Sequence, residues 1–208
     1  MNIPDQHIDV ALVSLTILSY ALPKKEVIAD FFVETIDKIT PKLLDKNSHL
    51  LECRLSLFLG YYIDILYRED NETFLKVLQM LVSSMDSEKL SLAHQSLDTL
   101  NTIISDKDLI PRVTPLISEL TKFVISCMKK VNIPLFFSFV SELLKWYTNG
   151  LSKEDHLSLL ESVVDRLQLE VKDIRENNFK TNMAIQKIWH LIDDYTQLRI
   201  VKEDPEMI

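Results

Sequence analysis

The chain has 208 residues, a formal net charge of −8, 47% hydrophobic and 26% charged residues, and only 2 glycines. That balance suits a packed globular chain but not nonspecific phosphate binding, which needs a surplus of Lys and Arg. Scarce glycine also speaks against nucleotide-binding and all-β folds, which use it for tight turns and close backbone approach.

In chain order, helical periodicity predicts a first helix over residues 5–22. Its run VALVSLTILSYAL is the longest uncharged apolar stretch, and Pro23 and Lys24 end it. A bilayer span needs about 20 such residues, so no membrane span is expected. The N-terminus shows no basic segment followed by an apolar core and cleavage site, so no secretory signal is expected either. A second helix is predicted over residues 24–39, where Pro41 interrupts the pattern and leaves a short turn to Asp45.

The stretch LLECRLSLFLGYYIDILYRED follows, residues 50–70. Leu51, Leu55, Phe58, Leu59, Tyr62 and Leu66 recur at helical spacing and make one apolar face. Leu57, Tyr61 and Ile65 widen it, as expected for a helix covered on two sides. Gly60 costs about 1 kcal/mol inside a helix, a cost that close approach of a neighbouring helix would justify.

Asp70 or Asn71 can cap the next helix, whose stripe is Phe74, Leu75, Leu78, Leu81 and Val82. Asp86 or Ser87 starts another, with Leu90, Ala93, Leu97, Leu100 and Ile104 inward. SDKDLIP is a polar joint, and Pro111 opens a helix carrying Val113, Leu116, Ile117, Leu120, Val124 and Met128. Asn132 and Pro134 introduce a helix lined by Phe136, Phe139, Val140, Leu143, Leu144 and Tyr147. Asn149-Gly150 ends it, Gly150 suiting the left-handed position past a helix. Ser152 with Asp155 resembles a capping box. Leu157, Leu160, Val164, Leu167 and Val171 are the expected stripe of the helix that follows. A last helix is expected from about Asn177 to Lys202, with residues 203–208 as a frayed tail.

Helix pairs begin near residues 47, 87 and 132, a period of about 40–45 residues, the range of HEAT and armadillo repeats. The expected fold is therefore all-α: a right-handed solenoid of antiparallel helix pairs forming a single helical-repeat domain over 1–208.

Candidate chemistry is sparse. No phosphate loop, nucleophile elbow or HExxH occurs. His49 and Cys53 stand four residues apart, but two ligands do not close a zinc site. His190 and Asp194 share that spacing and read as a hydrogen-bonded surface pair. Cys53 and Cys127 read as buried reduced thiols. Trp146, Tyr147 and Trp189 read as packing residues, with capture of a partner side chain as the alternative. Glu154, Glu161 and Asp165 fall along one edge of their helix, beside the expected apolar stripe. They are either a solvated flank or an acidic strip that meets a basic segment, and they are the candidate partner-binding residues. No enzyme activity, cofactor, metal or direct nucleic-acid ligand is expected.

RLSLFLGYYIDILY, followed by FLKVLQMLVSSMDSEKLSLAHQSLDTLNTIISDKDLIPRVTPLISELTKFV, resembles the HEAT repeats of importin-β-type nuclear transport receptors. Residues 50 to about 170 carry the resemblance. It implies a non-enzymatic scaffold that wraps a basic protein cargo and works with a small GTPase of nuclear transport. It also implies a cytoplasmic and nuclear location, and a chain that is a fragment or reduced relative of a longer solenoid. The alternative is a HEAT-like adaptor in a translation or kinase/phosphatase assembly.

Overall fold

A computed structural model of the chain describes residues 5–18, 49–62, 71–130 and 135–176. Among these residues all regular structure is helical and no strand occurs. The elements are α1 (Asp5–Leu18), α2 (His49–Tyr61), α3 (Asn71–Met85), α4 (Leu90–Ser105), the single turn α5 (Ile110–Val113), α6 (Ile117–Lys130), α7 (Leu135–Tyr147) and α8 (Lys153–Glu176). A 3₁₀ turn, Thr114–Leu116, joins α5 to α6. The expected helix at 24–39, the Asn132 and Pro134 start of α7, Trp189, the His190/Asp194 pair and the helix from Asn177 lie outside the described residues.

The chain divides into two compact units, residues 1–103 and 104–208. In the first, α1 and α2 pack together. Leu51, Leu55, Phe58, Leu59 and Tyr62 of the expected face are all buried. The Phe58 and Tyr62 rings lie 4.9 Å apart at 46°. The Tyr62 hydroxyl donates to the Leu15 carbonyl at 2.6 Å, so the ring is buried while its polar tip is satisfied. Burial pushes the Tyr62 phenol above its ordinary pKa. Arg54 reaches Asp9 across the same helix pair at 3.2 Å.

Gly60 has the neighbour that its position implied. A Cβ built on it would lie 3.2 Å from the Thr99 hydroxyl oxygen of α4. The crossing is lined by small hydroxyl residues: Thr99 donates to the Ser56 carbonyl at 2.8 Å, and the Ser56 and Ser96 hydroxyls are 3.2 Å apart. Each polar group taken out of water there has a partner, which removes most of the cost of burying it.

In the second unit, α6 packs on α8 and on α7. All six expected inward residues of α7 are buried, together with Phe137. The Tyr147 hydroxyl donates to the Ile104 carbonyl at 2.9 Å. The polar joint before α5 is built by Asp106, whose carboxylate accepts the Asp108 N–H at 2.9 Å. Pro111 and Pro115 each sit in the first turn of their short helices, where a missing N–H costs nothing.

Three expectations need correction. Leu75 and Leu90 are exposed, while Val77, Met80 and Leu92 take inward positions. Gly150 does not adopt a positive φ. It is small because the Ile117 and Thr114 side chains would stand 3.2 and 3.3 Å from a Cβ, the helix end being closed by the Gly150 N–H on the Tyr147 carbonyl. The stripe of α8 is turned: of its expected members Leu157 and Val164 are exposed and Leu160 is half-buried, Leu167 and Val171 lie outside the described side chains, and Asp155, Leu159, Ser162 and Val163 face inward. Residues 157 and 159 are about 200° apart around a helix, so the buried side is opposite the expected one.

Two substitutions test this packing. Phe58→Ala removes a ring with no exposed surface and should cost about 3–5 kcal/mol in chemical denaturation. Thr121 is fully buried on α6, and among the described residues its hydroxyl has no hydrogen-bond partner. Thr121→Val replaces that hydroxyl with a methyl and should stabilise by about 1 kcal/mol, read from the denaturation midpoint. A loss of stability would mean that the hydroxyl is satisfied.

Candidate functional site

The surface that carries the sequence candidates is the outer face of α8, and its position is set by what lies beneath. Ser152 and Asp155 form the reciprocal capping box. The Asp155 N–H donates to the Ser152 hydroxyl oxygen at 3.0 Å, and the Ser152 N–H donates to the Asp155 carboxylate at 3.1 Å. The Ser152 hydroxyl also donates to that carboxylate at 2.8 Å. The same oxygen accepts a third contact from α6, the Ser118 hydroxyl at 2.9 Å. Asp155 is thereby only 3% exposed.

Burial alone would raise the Asp155 pKa. The two serine hydroxyls, the Ser152 N–H and the nearby Lys122 charge outweigh it and hold the carboxyl below its ordinary value. The carboxylate is therefore a charged pin between the start of α8 and α6. It turns Asp155, Leu159, Ser162 and Val163 inward, because these positions share one side of a helix.

The opposite side is what remains for solvent. Glu154, Glu161 and Asp165 are all exposed. At 3.6 residues per turn they fall along one edge, and among the described residues no cation pairs with them. Beside them stand Leu157 and Val164, 52% and 44% exposed. The structure thus joins the three acidic candidates to a short apolar row that was expected to be core. A surface of this kind can hold an amphipathic segment whose basic residues flank its apolar ones.

The other candidates are placed differently. Tyr147 is core, and Trp146 is occupied by its own chain: its indole N–H donates to Glu142 at 2.7 Å, with the Lys145 and Lys107 ammonium groups 4.8 and 5.5 Å from the ring centre. Cys127 is buried, Cys53 is half-buried, and neither forms a disulfide. Burial pushes the Cys53 thiol up, away from the thiolate that nucleophiles and metal sites use. Burial also raises Glu52, with the nearby His49 opposing it. Among the described residues, no three His, Cys, Asp or Glu side chains gather as a metal site would require. No described helix is long and apolar enough to cross a membrane.

A second surface feature had only one sequence signal, Gly60. A groove of about 290 Å³ lies beside the α2–α4 crossing. Leu57 and Tyr61 form its α2 side, and Gln95, Asp98 and Thr102 form its α4 side. Gly60 and the buried Thr99 are its floor.

No family model, curated protein or solved structure matches the chain.

Asp155 gives a pH signature. Its folded pKa lies below its unfolded one, so its contribution is fully present above the ordinary carboxylate range, about pH 4, and is lost as pH falls through the folded value. Asp155→Asn should cost about 1–3 kcal/mol at neutral pH. The gap between wild type and variant should narrow on acidification below about pH 4, read from urea denaturation at several pH values.

Proposed function

We propose that this chain is a non-enzymatic helical scaffold that binds a basic partner protein on the outer face of α8. One observation carries the reading: Leu157 and Val164 are exposed beside the carboxylates of Glu154, Glu161 and Asp165, which pair with no cation among the described residues. Apolar side chains supply contact area, and the carboxylates steer and align a partner of opposite charge. The net charge of −8 acts in the same direction. The all-α architecture and the spacing of helix pairs support a repeat scaffold, stacked right-handed in the manner of HEAT arrays.

The resemblance over residues 50 to about 170 supports a narrower form of the reading. The chain is then part of a nuclear transport receptor, moves between cytoplasm and nucleus, and takes basic cargo under the control of a small GTPase. Pull-down with a GTP-locked transport GTPase and with a basic nuclear cargo tests that form. Retention of neither removes the transport role and leaves the scaffold reading in place.

The α8 face has its own test. The probe is a synthetic amphipathic helix with leucines seven residues apart and lysines beside them. Reversing Glu154, Glu161 and Asp165 to Lys should slow its association about tenfold at low ionic strength. The wild-type rate should fall with salt as screening shortens to about 8 Å, and the variant's rate should not. Equal rates and equal salt dependence would show that the row is only a solvated flank. Leu157→Ser with Val164→Ser should speed dissociation without changing the salt dependence.

A further inference from the structure

We propose that the groove between α2 and α4 receives a single lysine or arginine side chain of the partner protein. The proposal rests on the partner being basic, as argued above, but not on the α8 face, because every groove residue lies in the first unit. Its chemistry comes from Asp98, Gln95 and Leu57. The Asp98 carboxylate and the Gln95 amide both line the groove, and among the described residues neither takes part in a hydrogen bond or ion pair. The Thr102 hydroxyl is already committed as a donor, to the Asp98 main-chain carbonyl at 3.1 Å, so its free lone pairs face outward as acceptors. Acceptors with an unpaired negative charge suit a donor-rich cation.

The walls fit the rest of such a side chain. Leu57 offers an aliphatic surface for a methylene stem. Lysine and arginine both carry an apolar stem behind a charged head, and the groove lining offers both an aliphatic side chain and acceptors. At about 290 Å³ the space is just under the range typical of small-molecule pockets, about 300–1,000 Å³, and Asp98 and Thr102 keep it open to water. It therefore suits one inserted side chain better than an enclosed metabolite. A metal ion is disfavoured because only one carboxylate is present and calcium, for example, takes six to eight oxygens.

Gly60 explains why the groove exists. Without a side chain at 60, Thr99 can sit against the α2 backbone and donate to the Ser56 carbonyl. The flanking residues of the two helices then rise on either side of a shallow floor.

The test uses the full chain, isotope-labelled for NMR. The probes are blocked Gly-Gly-Arg-Gly-Gly, its Lys and Leu counterparts, and arginine amide as a free cation. The Arg and Lys peptides should shift the amides of Leu57, Tyr61, Asp98 and Thr102 and saturate in the millimolar range, while the Leu peptide should not. Asp98→Asn should weaken binding about tenfold, the worth of one charge-assisted hydrogen bond. Gln95→Glu should strengthen it, a gain that misfolding could not imitate. The Glu154, Glu161 and Asp165 reversal to Lys should leave these shifts unchanged, so that failure of the α8 face and failure of the groove are read separately. Three results would overturn the proposal: no localised shifts, shifts of equal size with the Leu peptide, or unchanged binding in Asp98→Asn. If arginine amide bound as tightly as the peptides, the groove would be a site for small cations and the partner assignment would fall.

Discussion

One carboxylate decides which side of α8 meets water. Asp155 accepts contacts from the Ser152 hydroxyl and N–H and from Ser118 on a neighbouring helix, and these contacts tie the first turn of α8 to α6. An apolar stripe alone would have allowed either side of this helix to pack, because leucines and valines occur all round it. The polar pin breaks that tie. Its hydrogen bonds are directional, so it sets the rotation of the helix and leaves Leu157 and Val164 outside.

The first unit uses the same device in a milder form. Ser56, Ser96 and Thr99 place hydroxyls where two helices cross, and Tyr62 sends its hydroxyl to a carbonyl of α1. Such groups contribute little net free energy when paired but are costly when left unpaired. They therefore select one arrangement among several that would bury similar apolar area. The groove next to the crossing is a by-product of that selection, and among the described residues the side chains of its Asp98 and Gln95 have no partner, both staying accessible to water.

How much of this was legible in the sequence differs by element. The face of α7 follows from residue spacing because its apolar residues are concentrated on one side, and in α2 the buried residues recur at the expected helical spacing although apolar residues occur all round it. Gly60 and the Ser152/Asp155 capping box were also legible, since both are local signals. The face of α8 was not, because the residue that fixes it bonds to Ser118, 37 positions away. Periodicity ranks apolar residues and gives no weight to an inward aspartate. The same limit explains Gly150, where a local rule pointed to backbone conformation and the cause was the space occupied by Ile117 and Thr114. The acidic row was visible as three charges, but its apolar companions were assigned to the core. The groove was invisible apart from its glycine, because residues on different helices come together only by folding.

The α2–α4 crossing bears on how the first unit can move. Helices that meet through smooth apolar ridges can slide by a turn at modest cost, a ratchet used in some switching proteins. Here a slide of one turn along α4 would bring Gln95 or Ile103 against Gly60 in place of Thr99, and both serine contacts would be lost. Both replacements are larger than threonine, and even a Cβ built on Gly60 would lie 3.2 Å from Thr99. The crossing therefore acts as a detent: it holds the register of the two helices, and this unit can bend by a tilt about that point but not by a slide along it.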